Sequence, residues 1–217
     1  MPFKRLLPLL LLLAFLVTFM QLGLISITFE KLGLSANSAV LLLFTTLFGS
    51  QINVPIFRLG GPWMPSHLPP QVRWVFRFER PPIAPYTIVA VNLGGCVVPV
   101  VFSLFLLGRA AVSLTDVVLA VALVASVSYI FSRPLVGRGI VMPVFIAPLT
   151  AAAAAAALDP ENRAVLAYIA GTLGVLIGAD LLRIDDIRKL GTPLASIGGG
   201  GSFDGIFLAG IIAVLLA

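Results

Sequence analysis

Charge is what this chain has least of. Only 11% of its 217 residues are Asp, Glu, Lys or Arg, against about 25% in an ordinary soluble domain. Hydrophobic residues make up 59%, and a water-soluble monomer could not hide so much apolar surface. Cysteine is nearly absent: Cys96 stands alone in the middle of an apolar run. That excludes an intrachain disulfide and any cysteine-based metal cluster, and leaves the thiol as a small buried packer. Histidine is as scarce, with His67 alone in a proline-rich loop. No Ser-His or Cys-His nucleophile arrangement competes for attention, and neither a metal nor another cofactor is expected.

The apolar residues are gathered in long blocks with few or no charges, and about 20 such residues cross the ~30 Å of a bilayer's hydrocarbon as a helix. The pattern predicts an all-α, polytopic transmembrane helix bundle of about seven spans. They are Pro8 to Thr28, Asn37 to Phe57, Thr87 to Leu107, Thr115 to Ser132, Gly139 to Leu158, Ala164 to Leu182 and Ser202 to Ala217. The chain from 1 to 217 is read as a single integral membrane domain. Its N-terminal charges and leucine run have the order of a secretory signal, but the run is too long for one and lacks a small-x-small cleavage site. It is therefore read as a retained first span.

Loops that stay in the cytoplasm keep an excess of Lys and Arg. Taken alternately, one side holds Lys4, Arg5, Arg58, Arg73, Arg77, Arg80, Arg133, Arg138, Arg183, Arg188 and Lys189; the other has only Lys31, Arg109 and Arg163. This split places the N-terminus in the cytoplasm and the C-terminus outside. It also explains the net charge of +5 as insertion orientation, so nucleic acid is not an expected partner; the lipid bilayer is. The loop 58–86 interleaves seven prolines with Trp63, Trp74, Phe76 and Phe78. Such proline density forbids a regular helix, and the aromatic and basic residues suit a cytoplasmic interfacial layer.

Polar residues and prolines inside apolar blocks ask for a reason. Gln51, Asn53 and Asn92, with Pro55, Pro99, Pro143 and Pro148, would line a polar chamber if each proline freed a backbone carbonyl at membrane depth. The glycines Gly174 and Gly178 have the spacing of a close helix contact.

Among the acids, Glu30, Glu79, Asp159, Glu161, Asp185 and Asp186 fall in loops, and Asp116 favours a helix start. Asp180 and Asp204 remain, near the cytoplasmic ends of the sixth and seventh spans. A carboxylate at membrane depth costs roughly 2.5 to 3.5 kcal/mol at the bilayer centre. In the bland alternative Asp204 caps its helix beside Ser202, and Asp180 pairs with Arg183. In the functional one the two carboxylates share a pocket in which only one ionises; the charged acid activates water and the protonated one donates to a carbonyl oxygen. Gly200, Gly201, Ser202 and Gly205 would leave room for an extended peptide, with Asn53, Asn92 and Pro148 lining the cavity.

Gly178-Ala-Asp-Leu-Leu182 and Ile197-Gly-Gly-Gly-Gly-Ser-Phe-Asp-Gly-Ile-Phe-Leu-Ala-Gly210 resemble an uncharacterised family of prokaryotic multipass membrane proteins, of the DUF1614 type. Gly49-Ser-Gln-Ile-Asn-Val-Pro55 and Val91-Asn-Leu-Gly-Gly95 look like further signatures of it. The resemblance implies residence in a prokaryotic plasma (inner) membrane and no established activity. More distantly, the aspartate pair resembles that of presenilin-type intramembrane aspartyl proteases, which would imply peptide-bond hydrolysis of a membrane-protein or peptide substrate. The chain departs from that pattern in having Ser202 and Phe203 before Asp204, no Tyr before Asp180, and Ala147-Pro148-Leu149 in place of a later Pro-Ala-Leu. Two other functions use the same features. A transporter or channel would bind a proton or cation at the two acids with help from Asn53 and Asn92; a membrane scaffold would use neither. Oligomeric state has no signal in the sequence.

Overall fold

The computed structural model describes residues 24–60, 86–135, 139–187, 194–199 and 205–217. Helices dominate them: α1 (Leu24–Lys31), α2 (Ala36–Gly49), α3 (Leu93–Arg109), α4 (Leu114–Phe131), α5 (Ile146–Leu158), α6 (Arg163–Ile187) and α7 (Gly205–Leu216). The all-α expectation is nevertheless corrected. Two small sheets are present, formed by β1 (Asn53–Gly60), β2 (Tyr86–Asn92) and β5 (Leu194–Ile197), and by the hairpin β3 (Arg133–Leu135) and β4 (Gly139–Val141).

The sheets take residues that the span boundaries had assigned to helices. The helix of the second span ends at Gly49 rather than Phe57, that of the third begins at Leu93 rather than Thr87, and that of the fifth at Ile146 rather than Gly139. The fourth span matches α4 to within one residue at each end, α6 contains the sixth and runs five residues beyond it, and α7 covers most of the seventh. Of the first span only the part from Leu24 is described, and of the long loop only its two strand ends; residues 61–85 lie outside the described residues. A seven-span bundle is thus an expectation beyond what these helices establish. Two of them, α4 with 18 residues and α6 with 25, are long and apolar enough to cross a membrane.

Their burial differs in a way that orders the bundle. The apolar window of α6 is 72% buried, that of α4 28%. Helix α6 is central, touching α3, α4, α5 and α7, and Leu166 to Ala170 lie wholly within the core. Small residues bring its neighbours close: Gly174 and Gly178 lie against Val124 and Ala125 of α4, and Gly171 against Ala209 of α7. The alanines of α5, among them Ala151, Ala154 and Ala155, complete this core. Outside it, Leu41 and Phe48 of α2, Leu104 of α3, Val118 and Ile130 of α4 and Leu149 of α5 are exposed. So many large apolar side chains left exposed on α2 to α5 suit hydrocarbon rather than water, in keeping with a membrane protein.

A second, smaller core lies at one end of the bundle. Leu59, Val89, Cys96, Ile187 and Ile197 are buried in it, with Ile140 and Ile184 packed alongside. These residues come from both sheets, α3 and α6, so the described ends of the second, fourth and sixth loops meet on one face. Cys96 is the buried packer its surroundings predicted.

Arg183 fastens that face. Its Nη2 donates to the carbonyls of Tyr129 (2.6 Å) and Ser132 (2.8 Å), its Nε to Ser132 Oγ (3.2 Å), and its Nη1 to Asp186 at 2.9 Å. The guanidinium also lies 4.2 Å from the centre of the Tyr129 ring. It satisfies carbonyls at the end of α4 that have no intrahelical partner and places a cation at the negative pole of that helix. Arg183→Ala is expected to lower stability by about 2 kcal/mol, read as a fall in the unfolding midpoint of the purified protein. Arg183→Lys should recover only part of it, because a single ammonium cannot reproduce the planar fork. Full recovery by Lys would show that charge alone matters.

Candidate functional site

The register of the three-stranded sheet brings the polar signature residues together. Central strand β2 pairs antiparallel with β1 and parallel with β5. Asn53 is thereby opposite Asn92, and Asn92 Nδ2 donates to Asn53 Oδ1 at 3.0 Å and to the Ser50 carbonyl at 2.7 Å. The Asn92 Oδ1 accepts from the Gly95 amide at 2.8 Å, capping the start of α3. Ser196 Oγ, from β5, donates to Asn53 Oδ1 in a short hydrogen bond. One buried amide therefore ties the end of α2, both N-terminal strands and the first turn of α3.

Glycines allow the same segments to touch backbone to backbone. A Cβ on Gly94 would fall 1.9 Å from the Thr46 carbonyl oxygen and 2.3 Å from the Ser50 nitrogen. Gly198 has φ +71 and would bring a Cβ within 2.6 Å of that of Cys96, so this turn is closed to other residues by conformation and by space. The three signature stretches around residues 49–55, 91–95 and 196–199 thus form one junction at the sheet end of the bundle.

Asp180 lies at the same end. Residues Leu176–Asp180 form a π-helical turn, followed by the 3-10 turn Leu181–Arg183. Leu176 before Asp180 and Ile184 after it both pack against the second core. Asp180 itself is half-buried. A π turn inside an otherwise α-helical element redirects the side chains that follow it and is frequent at functional sites. The ion pair formed by Arg183 is with Asp186, at 2.9 Å.

The other expected site residues are distributed as follows. Asp204, Gly200, Gly201 and Ser202 lie outside the described residues, so the Asp180–Asp204 separation is not among the observed geometry. Gly205 is exposed at the start of α7, with open space where a side chain would be. Asn53 and Asn92 are brought together, though as mutual hydrogen-bond partners within the junction. Pro148 is elsewhere, buried as the third residue of α5, where a backbone N–H has no intrahelical acceptor to lose. Pro55 is in edge strand β1, next to the register shift between Pro55 and Phe57; Pro143 precedes α5, and Pro99 stands in the first α-helical turn after the π turn of α3. Of the four, Pro99 alone stands beyond the first turn of a continuous helix, directly after the π turn of α3. Ser196 and Arg183 had not been singled out for these roles. Ser196 directly precedes the signature Ile197-Gly-Gly, and Arg183 has Asp186 at the i, i+3 spacing, the only signals that pointed to them.

No curated protein and no solved structure matches the chain. Residues 47–216 match the family described as Protein of unknown function (DUF1614). That span contains every signature stretch that meets at the junction, and the chain belongs to this family.

Proposed function

We propose that the protein is a multipass protein of a prokaryotic plasma membrane, with its sheet end and basic loops in the cytoplasm. We further propose that Asp180 and Asp204 form the working pair of an aspartic hydrolase acting on a membrane-embedded peptide. The observation that supports this most is the place of Asp180. It is a half-buried carboxylate at the end of a π turn, on the central helix of the bundle, beside the second core. In the proposed reaction the ionised acid takes a proton from water, whose oxygen attacks the peptide carbonyl carbon. The protonated acid donates to the carbonyl oxygen, and the C–N bond then breaks with proton transfer to the leaving amine.

Wild type, Asp180→Asn and Asp204→Asn, each purified and reconstituted, would be incubated with a helical membrane peptide. Cleavage by wild type alone is expected. Equal cleavage by all three, or none under any condition tried, would remove hydrolysis. Dissipation of an imposed pH gradient by wild-type proteoliposomes and not by the variants would assign the acids to proton transport instead. Inertness in both assays would leave a scaffold.

A further inference from the structure

The hairpin that follows α4 brings one cation and several apolar side chains around a single hollow. Arg133 opens β3 and pairs with Val141, the last residue of β4. Residues directly opposite in an antiparallel pair project to the same face. Both line a pocket of about 440 Å³, together with Phe131, Met142 and Pro143. That volume is within the roughly 300–1,000 Å³ usual for ligand sites.

The two arginines at this end of α4 are employed differently. Arg183 directs its donors to the carbonyls of Tyr129 and Ser132 and to Asp186. Arg133 is exposed and makes no ion pair among the described residues. Its planar guanidinium matches a pair of phosphate oxygens, while the rest of the described lining is apolar. A ligand that suits both halves of the pocket has an anionic end and a hydrocarbon end. The depth fits such a molecule. Helix α4 has 18 residues, about 27 Å at 1.5 Å per residue, close to the ~30 Å of bilayer hydrocarbon. It ends at Phe131, so in a bilayer crossed by α4 Arg133 stands in the headgroup layer. Ile130, Phe131, Val144 and Phe145, at or beside the pocket in sequence, are exposed apolar residues that acyl chains would cover.

We propose that this pocket binds one anionic phospholipid, its phosphate on Arg133 and the start of an acyl chain against Phe131, Val141 and Met142. The site rests on the membrane reading above and is independent of what Asp180 and Asp204 do. In the orientation proposed there, the pocket meets the cytoplasmic leaflet, whose surface carries the anionic headgroups.

Native mass spectrometry of the detergent-purified full chain, offered phosphatidylglycerol and phosphatidylcholine together, tests the site. Wild type is expected to retain one phosphatidylglycerol in preference to phosphatidylcholine. Arg133→Gln should bind it about tenfold more weakly, the effect of losing one charge-assisted contact. Met142→Trp, which fills the pocket and keeps the charge, should weaken binding to a similar degree, and Arg58→Gln, outside the pocket, should leave it unchanged. An equal loss with Arg58→Gln, or full retention by Met142→Trp, would reduce the effect to surface charge and overturn the site. Displacement of the lipid by millimolar glycerol phosphate would mean a soluble anion and overturn it too. If a variant fails to fold, a photoactivatable phosphatidylglycerol on the wild-type protein decides: crosslinks on Phe131, Val141 or Met142 support the pocket, and crosslinks confined elsewhere overturn it. Carbonate extraction of the membranes separates the two readings. A protein that resists extraction yet shows no lipid preference sinks this site alone, whereas a released protein sinks the membrane reading with it.

Discussion

Gly94→Ala is expected to leave little folded protein. The added methyl would lie 1.9 Å from the Thr46 carbonyl oxygen, 2.3 Å from the Ser50 nitrogen and 2.8 Å from the Gly49 carbonyl carbon. All three are backbone atoms, so no rotamer change relieves the clash. Ordinary overpacking, in which side chains shift, costs about 1–3 kcal/mol. Here α2 and α3 must separate, which pulls the Ser50 carbonyl away from Asn92 and opens the junction. A loss of about 3 kcal/mol or more is expected, a large share of the 5–15 kcal/mol typical of folded domains. The measurement is the yield of monodisperse detergent-solubilised protein, with the unfolding midpoint of whatever is recovered. Gly108→Ala, on the same helix with nothing within 4 Å of the added carbon, should express as wild type. A Gly94→Ala protein with normal yield and midpoint would show that the two helix ends are not held in contact.

Asn92→Leu should be nearly as damaging, for a chemical reason rather than a steric one. Asn92 is only 2% exposed, and its amide serves the Gly95 N–H, the Ser50 carbonyl and Asn53 at once. Leucine has a similar shape but leaves the buried Gly95 N–H without its acceptor, at about 1–3 kcal/mol, and releases the half-buried Ser50 carbonyl and the exposed Asn53. A net loss of about 2–4 kcal/mol is expected, allowing for relaxation and water entry. Asn92→Asp is the sharper test. It keeps the oxygen that caps α3, yet turns a second oxygen towards the Ser50 carbonyl and Asn53 Oδ1, where a donor is required. Asp should therefore fall at least as far as Leu. If Asp is well tolerated, the cap is what matters and the link to Ser50 and Asn53 contributes little.

Much of the bundle was legible in the sequence, and the reasons it stopped being so are local. Helices α4 and α6 follow from long uninterrupted apolar runs bounded by charge, and Gly174 and Gly178 follow from spacing. The strands were missed because Tyr86 to Val91 and Val54 to Phe57 are apolar on both faces. Such a run has neither the alternation of a half-exposed strand nor anything to separate it from a short buried helix. Pro55 held a clue in retrospect: proline is tolerated in an edge strand near an irregularity, whereas in a helix interior it is disruptive. At the candidate site, the scarcity of membrane-depth acids was enough to single out Asp180. Nothing in composition announced the π turn that positions it, nor how closely Gly178 within that turn meets the Ala125 backbone. Nor could spacing show that Asn53 and Asn92 would satisfy each other, because their meeting is a matter of sheet register.

The parallel pairing of β2 with β5 bears on how this protein is made. Val91 meets Ile197, partners about a hundred residues apart in the chain. At ribosomal rates of about 5–20 residues per second, β2 waits roughly 5 to 20 s for its second neighbour to be synthesised. During that interval the central strand of the sheet has one open edge, a template for mispairing with another nascent chain. The last of the described strands to emerge is the one that closes it, so the glycine-rich stretch that follows β5 in this chain also marks the end of the protein's vulnerability during biogenesis.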